Sequence, residues 1–472
     1  MSKKELVRNL EELEHVTGSL ALDIWQHPQI AYEETYASTA QKDVLSDAGF
    51  RITDNIGGME TAFYAEYGSG HPIIGILGEF DALPGLSQSS KPYKDPVSEN
   101  GPGHACGHHL LGTAGVEAVL GIKQLIDNGK VDGTIRYYGC PAEEVLSGKT
   151  FMAREGVFDD LDCCLTWHPG TSNVVQNYST QAMISIKFRF HGVPAHAAGA
   201  PHAGRSALDA VEIMNIGANY LREHLVDGTR IHYAITNGGQ APNIVPDEAE
   251  VWYYLRGENR DQVEDMLMRM HDIAKGAALI TGTSTSHELL ANCYHMLTND
   301  TMDTLNYRNM EDYPMESFTS DEVAYAAILR KSMDPKLIEE SRRQLQLDYN
   351  DILPTKNFYN ITMKDTTMPG STDVADVSWI TPLASIGTTC GPIGTQVHAW
   401  QATAVFGTSI GLKGMHYAAR IMALTAYDLL TEPALVEQAK AEFIKATVDN
   451  PYQAGLDETV LAPGTERKEQ LI

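Results

Sequence analysis

The chain has 472 residues, a length that suits two or three domains better than one. Its 62 acidic residues outnumber its 35 basic residues and give a formal charge of -27, which argues against nucleic acid or an anionic membrane surface as a partner. We find no apolar run long enough for a transmembrane helix, no secretory signal at the start, and no regular spacing among the six cysteines. We therefore expect a cytoplasmic protein.

Strands and helices alternate over the first 180 residues. An amphipathic helix is predicted at 4–22, and a second helix with apolar residues at helical spacing at 110–126. Apolar strands are predicted at 61–67, 72–78, 134–140 and 162–167. This alternation predicts an α/β/α catalytic domain with a mostly parallel sheet.

The pattern changes near Gln181. Strands are predicted at 181–190, 231–237, 248–256 and 284–290, with helices at 203–224 and 261–278. This β-α-β-β-α-β order predicts a small ferredoxin-like α+β domain. We place it at residues 181–293, between the two parts of the catalytic domain at 1–180 and 294–472. Residues 294–363 carry no motif with an assignable role, and we attribute their sequon Asn360-Ile361-Thr362 to chance.

A cysteine and a histidine stand two positions apart before the predicted helix at 110–126. On extended backbone, Cys106 and His108 would point to the same side, and Gly107 between them favours such a turn. Both side chains could then reach one metal ion. The alternative is a buried cysteine followed by a histidine that caps the helix, and this stretch alone does not decide between them.

Two adjacent glutamates follow the predicted strand at 134–140. Because neighbours at a strand end diverge, one of Glu143 and Glu144 could bind a metal while the other contacts an activated water. His168 and His398 each follow an apolar stretch, where a lone histidine is commonly a core or capping residue. The ordered set of donors favours a two-metal hydrolase that cleaves amide bonds.

Two competing motifs are excluded. Ser147-Gly148-Lys149-Thr150 matches the end of a phosphate-binding loop, but that loop needs a glycine where the chain has Glu143. A carboxylate there would repel phosphate. The chain also lacks the Gly-x-Ser-x-Gly motif of serine hydrolases.

Seven motifs in order resemble the aminoacylase/carboxypeptidase-G family of dinuclear metallopeptidases, and specifically its hippurate hydrolase and indole-acetyl-amino-acid hydrolase branch. They span nearly the whole chain: His27-Pro28-Gln29-Ile30-Ala31-Tyr32-Glu33-Glu34, Glu79-Phe80-Asp81-Ala82-Leu83-Pro84-Gly85, Gly103-His104-Ala105-Cys106-Gly107-His108, Pro141-Ala142-Glu143-Glu144, His191-Gly192-Val193-Pro194-Ala195-His196-Ala197-Ala198, Asn243-Ile244-Val245-Pro246-Asp247 and Gly370-Ser371-Thr372-Asp373. The resemblance implies that the inserted domain is a lid and dimerisation domain.

The resemblance also implies roles for single residues. Glu143 becomes the general base, and Asp81 becomes a group that orients a metal ligand. His196 becomes the lid residue that reaches the active site of a partner subunit, while Asn243 and Arg256 become substrate-binding residues. The ligands of two divalent ions, zinc or manganese, become Cys106, His108, Glu144, His168 and His398.

The implied reaction is hydrolysis of an N-acyl or N-aroyl amino acid, p-aminobenzoyl-glutamate being the nearest case, by a metal-bound water. Two alternatives stay open: a dipeptidase with the same chemistry, and a non-catalytic partner subunit of a paralogous amidase. The presence of Glu143 and all five ligands weighs against the second alternative. The dimer could be homomeric or formed with a paralogous subunit. For Arg256 the alternative role is a pair with a lid acid such as Asp247 or Glu248.

Overall fold

The computed structural model describes residues 3–348, 351–359, 363–364 and 366–463, and the sequon at 360–362 lies outside them. The predicted α/β class is confirmed. The described part of the chain contains one eight-stranded mixed sheet, a separate four-stranded antiparallel sheet and a short two-stranded parallel sheet. The exact boundaries at residues 181 and 293 stay a prediction.

The strands are β1 Arg51–Asp54, β2 Phe63–Ser69, β3 Ile73–Glu79, β4 Gly133–Cys140, β5 Cys163–Gly170, β6 Asn173–Val175, β7 Ser179–Thr180, β8 Ala182–His191, β9 Arg230–Asn237, β10 Glu248–Gly257, β11 Ser284–Cys293, β12 Asn357–Tyr359, β13 Thr367–Met368 and β14 Leu383–Thr389. The helices are α1 Lys3–Gln26, α2 Thr35–Asp47, α3 His108–Asp127, α4 Gly148–Arg154, α5 Ala207–Leu221, α6 Arg260–Thr281, α7 Asp300–Asp312, α8 Ser320–Arg330, α9 Pro335–Gln344, α10 Val374–Ser378, α11 Trp400–Phe406, α12 Ser409–Thr431 and α13 Pro433–Thr447.

The large sheet has the order β1-β2-β4-β3-β5-β14-β6-β12. Its central strands β4, β3, β5 and β14 pair in parallel, and β2 and β6 join this block antiparallel from either side. Every residue of β3, β4 and β14 is buried, as expected for parallel strands that are covered on both faces.

Helices cover both faces of this sheet. Ile74 and Ile76 of β3 pack on the side of α1, α3 and α12, whereas Leu77 packs on the side of α4 and α10. Gly112 and Gly115 let α3 approach the sheet closely. A Cβ at Gly112 would lie 2.6 Å from the backbone carbonyl oxygen of Glu79, and a Cβ at Gly115 would lie 2.7 Å from the Tyr137 ring. The result is the predicted α/β/α arrangement.

The small sheet has the order β11-β8-β10-β9 and is antiparallel throughout. In β8, Ile184, Ile186 and Phe188 are buried in one apolar cluster with residues of α5 and α6, so both helices cover the same face. This is the strand order of the predicted ferredoxin-like plan, which is therefore confirmed. No helix in the described ranges has the length and apolarity needed to cross a membrane.

Candidate active site

The candidate donors come together where the parallel strands end. His168 lies near the end of β5, Glu143 and Glu144 follow β4, and Asp81 follows β3 by two residues. Open α/β sheets form their sites at this edge, because loops from neighbouring strands meet there. The topology therefore brings together residues that are far apart in the chain.

The Cys-Gly-His turn depends on its glycine. Gly107 has φ +82°, and a Cβ there would lie 2.9 Å from the Pro169 Cγ and 3.0 Å from the Phe406 Cδ2. A larger residue is therefore excluded by both backbone conformation and space. His108 is the first residue of α3, and Cys106 lies two residues before it.

The adjacent glutamates occupy a tight 3-10 turn. Ala142 before them and Leu146 after them both have φ +58°, a left-handed conformation that is uncommon for residues with a side chain. The Glu144 backbone N–H donates to the Asp81 Oδ2 at 2.9 Å. The turn is thus held by a neighbouring carboxylate as well as by its own backbone.

All five residues that the sequence proposes as metal ligands converge. Cys106, His108 and His168 can place one ligand atom each within 4.8 Å of one another, and so can Cys106, Glu144 and His398. The Cys106 Sγ lies 3.3 Å from the His168 Nε2, and the His398 Nε2 lies 3.2 Å from the Glu144 Oε2. Cys106 therefore belongs to both groups.

A third group contains a residue that sequence reasoning missed. The His108 Nε2 lies 3.3 Å from the Glu79 Oε2 and 3.9 Å from the Glu143 Oε2. Glu79 belongs to one of the seven motifs, in which only Asp81 received a role. Its position as the last residue of a fully buried strand was the signal that could have identified it.

The donor set fits divalent metal ions. The His108 Nε2 and the Glu144 Oε1 are buried without a hydrogen-bond partner among the described residues, which is unusual for such atoms. Thiolate, imidazole and carboxylate are together typical of zinc and related ions. Burial raises the pKa of the Cys106 thiol well above its usual range, and a bound cation would counter this effect.

Asp81 and Glu143 differ in their surroundings. The Asp81 Oδ1 lies 2.8 Å from the His108 Nδ1, on the ring nitrogen opposite to the one that faces the other donors. Burial, and next the negative charge of Glu79, raise the pKa of Glu143 well above its usual value. A carboxyl group of this kind is suited to accepting and releasing a proton.

Lys149, part of the rejected phosphate-loop motif, lies beneath the site. Its Nζ is 2.6 Å from the Glu79 Oε1 and 2.7 Å from the Asp373 Oδ1, and all three side chains are buried. Burial disfavours the charged form of each side chain, but the opposite charges nearby outweigh it. The carboxylates of Asp373 and Glu79 hold the pKa of Lys149 well above its usual value, and Lys149 holds the pKa of Glu79 below its usual value. No pattern in the sequence pointed to this ion pair.

A cavity of about 570 Å³ extends from these donors to the lid. Arg256, at the end of β10, lines its lid side, and its Nη1 donates to the Ser371 Oγ at 2.7 Å. The alternative role of Arg256 is an ion pair with a lid acid. Within the described residues, Arg256 forms no ion pair with Asp247 or Glu248, so the structure does not support that role.

His196 and Asn243 do not line this cavity. Both are exposed on the lid, where the Ala197 N–H donates to the Asn243 carbonyl at 3.1 Å. His196 forms an isolated bridge with Ile244, and its Nδ1 accepts from the Gly199 N–H at 3.1 Å. The structure thus brings these two residues together, but apart from the cavity of their own chain.

Known proteins resemble this chain over most of its length. One subunit of the p-aminobenzoyl-glutamate hydrolase of Escherichia coli is 38% identical over 456 residues, which cover 93% of this chain and 94% of the relative. The Xaa-Arg dipeptidase of Mus musculus is 27% identical, covering 93% and 92%. A dinuclear metal-binding peptidase of the M20 family from Bacillus subtilis shares the fold, with a TM-score of 0.54, 16% identity and coverage of 89% and 99%.

A family model described as a peptidase dimerisation domain matches residues 178–281, which contain most of the four-stranded sheet and both of its helices. Together with the near full-length similarity to the Escherichia coli hydrolase, this match shows the family. The chain belongs to the M20 peptidase family and is an amidohydrolase that uses divalent metal ions.

Proposed function

We propose that this amidohydrolase releases an amino acid from an N-acyl or N-aroyl amino acid of the p-aminobenzoyl-glutamate type. The observation that carries the proposal is one cavity with metal donors at one end and Arg256 at the other. Such a cavity suits a substrate with an amide bond and a free carboxylate. The name of the Escherichia coli relative supports the choice of substrate.

We assign two divalent ions, zinc or manganese, to Cys106, His108, Glu144, His168 and His398. When bound, such ions polarise the amide carbonyl and lower the pKa of a water molecule. Asp81 fixes the orientation of the His108 ring through its contact at Nδ1. Glu143 takes a proton from the attacking water and passes it to the leaving nitrogen.

Arg256 binds the carboxylate of the substrate. A guanidinium group can form two parallel charge-assisted hydrogen bonds with a carboxylate, and its present partner Ser371 is neutral. Among the described residues that line the cavity, no acid forms an ion pair with Arg256. This assignment makes the enzyme an amino-acid-releasing hydrolase and not a general amidase.

His196 and Asn243 act in the cavity of a partner subunit. Both are exposed and lie together, and they belong to the segment that matches a dimerisation domain. In this proposal His196 stabilises the oxyanion of the substrate in the partner and Asn243 helps to hold it. The partner is a second copy or a paralogous subunit.

All six cysteines are free and buried, which supports a reducing cytoplasm as the compartment of this protein.

A dipeptidase is the second candidate, because the mouse relative is named for that activity. The acids that line the described cavity are Glu79, Glu143 and Glu144, all at the metal end. The lid end therefore offers no negative charge to a cationic side chain. This favours an acidic amino acid over a basic one as the released product.

The test is a substrate panel assayed with added zinc or manganese. It contains p-aminobenzoyl-glutamate, other N-acyl amino acids and dipeptides with a C-terminal arginine. We expect the highest kcat/KM on an N-aroyl or N-acyl amino acid. Preferential cleavage of the dipeptides would establish the second candidate, and no turnover with either metal would favour a non-catalytic subunit.

A further inference from the structure

A row of uncharged polar side chains crosses three neighbouring strands at the floor of the cavity. Thr166 of β5 and Ser385 of β14 are direct partners in the parallel register. Gln176 follows β6, and its backbone N–H donates to the Ser385 carbonyl at 3.0 Å. All three residues line the cavity, two strand positions below the level of His168.

Thr166 has an unsatisfied hydroxyl. The side chain is only 3% exposed, and its Oγ1 has no hydrogen-bond partner within the described ranges. The Oγ1 of Thr180, on the same cavity, is buried and unpartnered in the same way. Buried hydroxyl groups are normally paired, so these two groups in the lining of one cavity are candidate contacts for a ligand.

Gln176 is held with its amide nitrogen towards the reacting end. The Ser385 Oγ donates to the Gln176 Oε1 at 2.5 Å, which fixes the amide oxygen on the floor. The Nε2 lies 3.7 Å from the position that a Cβ would take at Gly387, the residue paired with His168 in the sheet. The Gln176 side chain also hydrogen-bonds to Tyr178, another residue of the cavity lining. Of the three floor residues, Thr166 is thus the one whose side-chain polar atom has no partner within the described ranges.

The floor carries no charge. Among the described residues that line the cavity, the carboxylates lie at the metal end, and the only arginine is Arg256 at the lid. A charged group placed against Thr166 would be buried without a counter-charge, which is costly. The floor consequently suits the uncharged half of the substrate, while the amino-acid half lies towards Arg256.

We infer that Thr166, Gln176 and Ser385 form a subsite that selects an aromatic acyl group with a neutral hydrogen-bonding substituent, such as an aryl amine, at its far end. This inference rests on the proposed function for the direction of the substrate. Thr166 lies about 6–7 Å along the strand from His168, because a strand rises about 3.3 Å per residue. That spacing is comparable with the length of a substituted benzene ring.

The test measures binding and does not need turnover. We would titrate the zinc-loaded enzyme with p-aminobenzoate, benzoate and terephthalate, whose shared carboxylate leaves the para substituent as the difference. We expect p-aminobenzoate to bind about three- to tenfold more tightly than benzoate, the range of one net hydrogen bond. Terephthalate, with a second charge, should bind more weakly than benzoate.

Thr166→Val should bring p-aminobenzoate to the affinity of benzoate. Because its hydroxyl has no partner among the described residues, this substitution should leave the melting temperature unchanged or raise it. The matched control is Thr381→Val, which removes a buried hydroxyl that donates to the Leu161 carbonyl at 3.2 Å outside the cavity. The control should lower stability and keep the preference for p-aminobenzoate.

Equal binding of p-aminobenzoate and benzoate to the wild type would overturn the subsite, and so would a preference that survives in Thr166→Val. The proposed function fails in a different way. If p-aminobenzoate is preferred through Thr166 but no N-aroyl amino acid is hydrolysed, the subsite stands and the proposed reaction is wrong.

Discussion

Lys149 and Glu79 form a buried ion pair whose atoms Nζ and Oε1 lie 2.6 Å apart, and the second oxygen of Glu79 faces His108. Asp373, the other partner of Lys149, stands two residues after Ser371, which accepts a hydrogen bond from Arg256. One short segment thus contacts both the charge network under the metal donors and the arginine at the lid.

Lys149→Met should destabilise the protein by about 3–5 kcal/mol, because it leaves two buried carboxylates without their counter-charge. Chemical denaturation of metal-free protein would measure the change. Lys42→Met is the matched control, since Lys42 pairs with the exposed Asp54 at 2.9 Å and should contribute about 0–1 kcal/mol. If both variants lost the same free energy of unfolding, the buried ion pair would contribute no more to stability than the exposed one.

Cys106→Ala should lower metal occupancy and activity together, because Cys106 belongs to two of the candidate donor groups. Elemental analysis of the purified variant would measure the bound metal. Cys164→Ala, a buried cysteine in an apolar cluster, is the control and should keep its metal. Full metal occupancy in Cys106→Ala would show that Cys106 is a core residue and not a metal ligand.

Arg256→Ala should erase the discrimination between a substrate acid and its amide. In the wild type, amidation of the carboxylate should cost about 2–4 kcal/mol in kcat/KM, the scale of an unpaired buried charge. Arg269→Ala, on the lid surface beside Asp265, should leave that difference intact. If the wild type cleaves the acid and the amide equally well, the role of Arg256 is wrong.

A mixture of His196→Ala and Glu143→Gln proteins should regain activity that neither has alone. In a hybrid dimer, the subunit with an intact Glu143 faces a partner with an intact His196. Random exchange in a two-fold symmetric dimer gives about a quarter of the wild-type activity. Subunit exchange is verified with two labels, and exchange without recovery would exclude action across the interface.

Much of the fold followed from periodicity, but polar positions concealed part of it. The buried strands and α3 show clear apolar patterns, whereas α2 has Ser38 and Gln41 on its buried face. Gln41 is inside because its amide oxygen accepts the Tyr137 hydroxyl at 2.6 Å. A helix that buries polar residues against a distant strand carries no apolar period, so it was not predicted.

The candidate site also contains residues that the sequence could predict and residues that it could not. Cys106 and His108 are close in sequence, and one glycine between them indicates the turn. Lys149 could not be placed, since its partner Asp373 is 224 positions away and a lone buried lysine has no sequence pattern. His196 lies outside the cavity of its own chain, so the role that the sequence predicts for it stays a prediction.

The general-base role of Glu143 is tested most directly by the metal content of Glu143→Gln measured alongside its turnover. Glu143 lies in one donor group with Glu79 and His108, so a ligand role and a proton-transfer role are both geometrically open to it. We expect turnover to fall about 10²–10⁴-fold, the usual contribution of a general base, while bound metal stays near the wild-type level. A variant that purifies without metal, or that retains its turnover, would contradict the proposed mechanism.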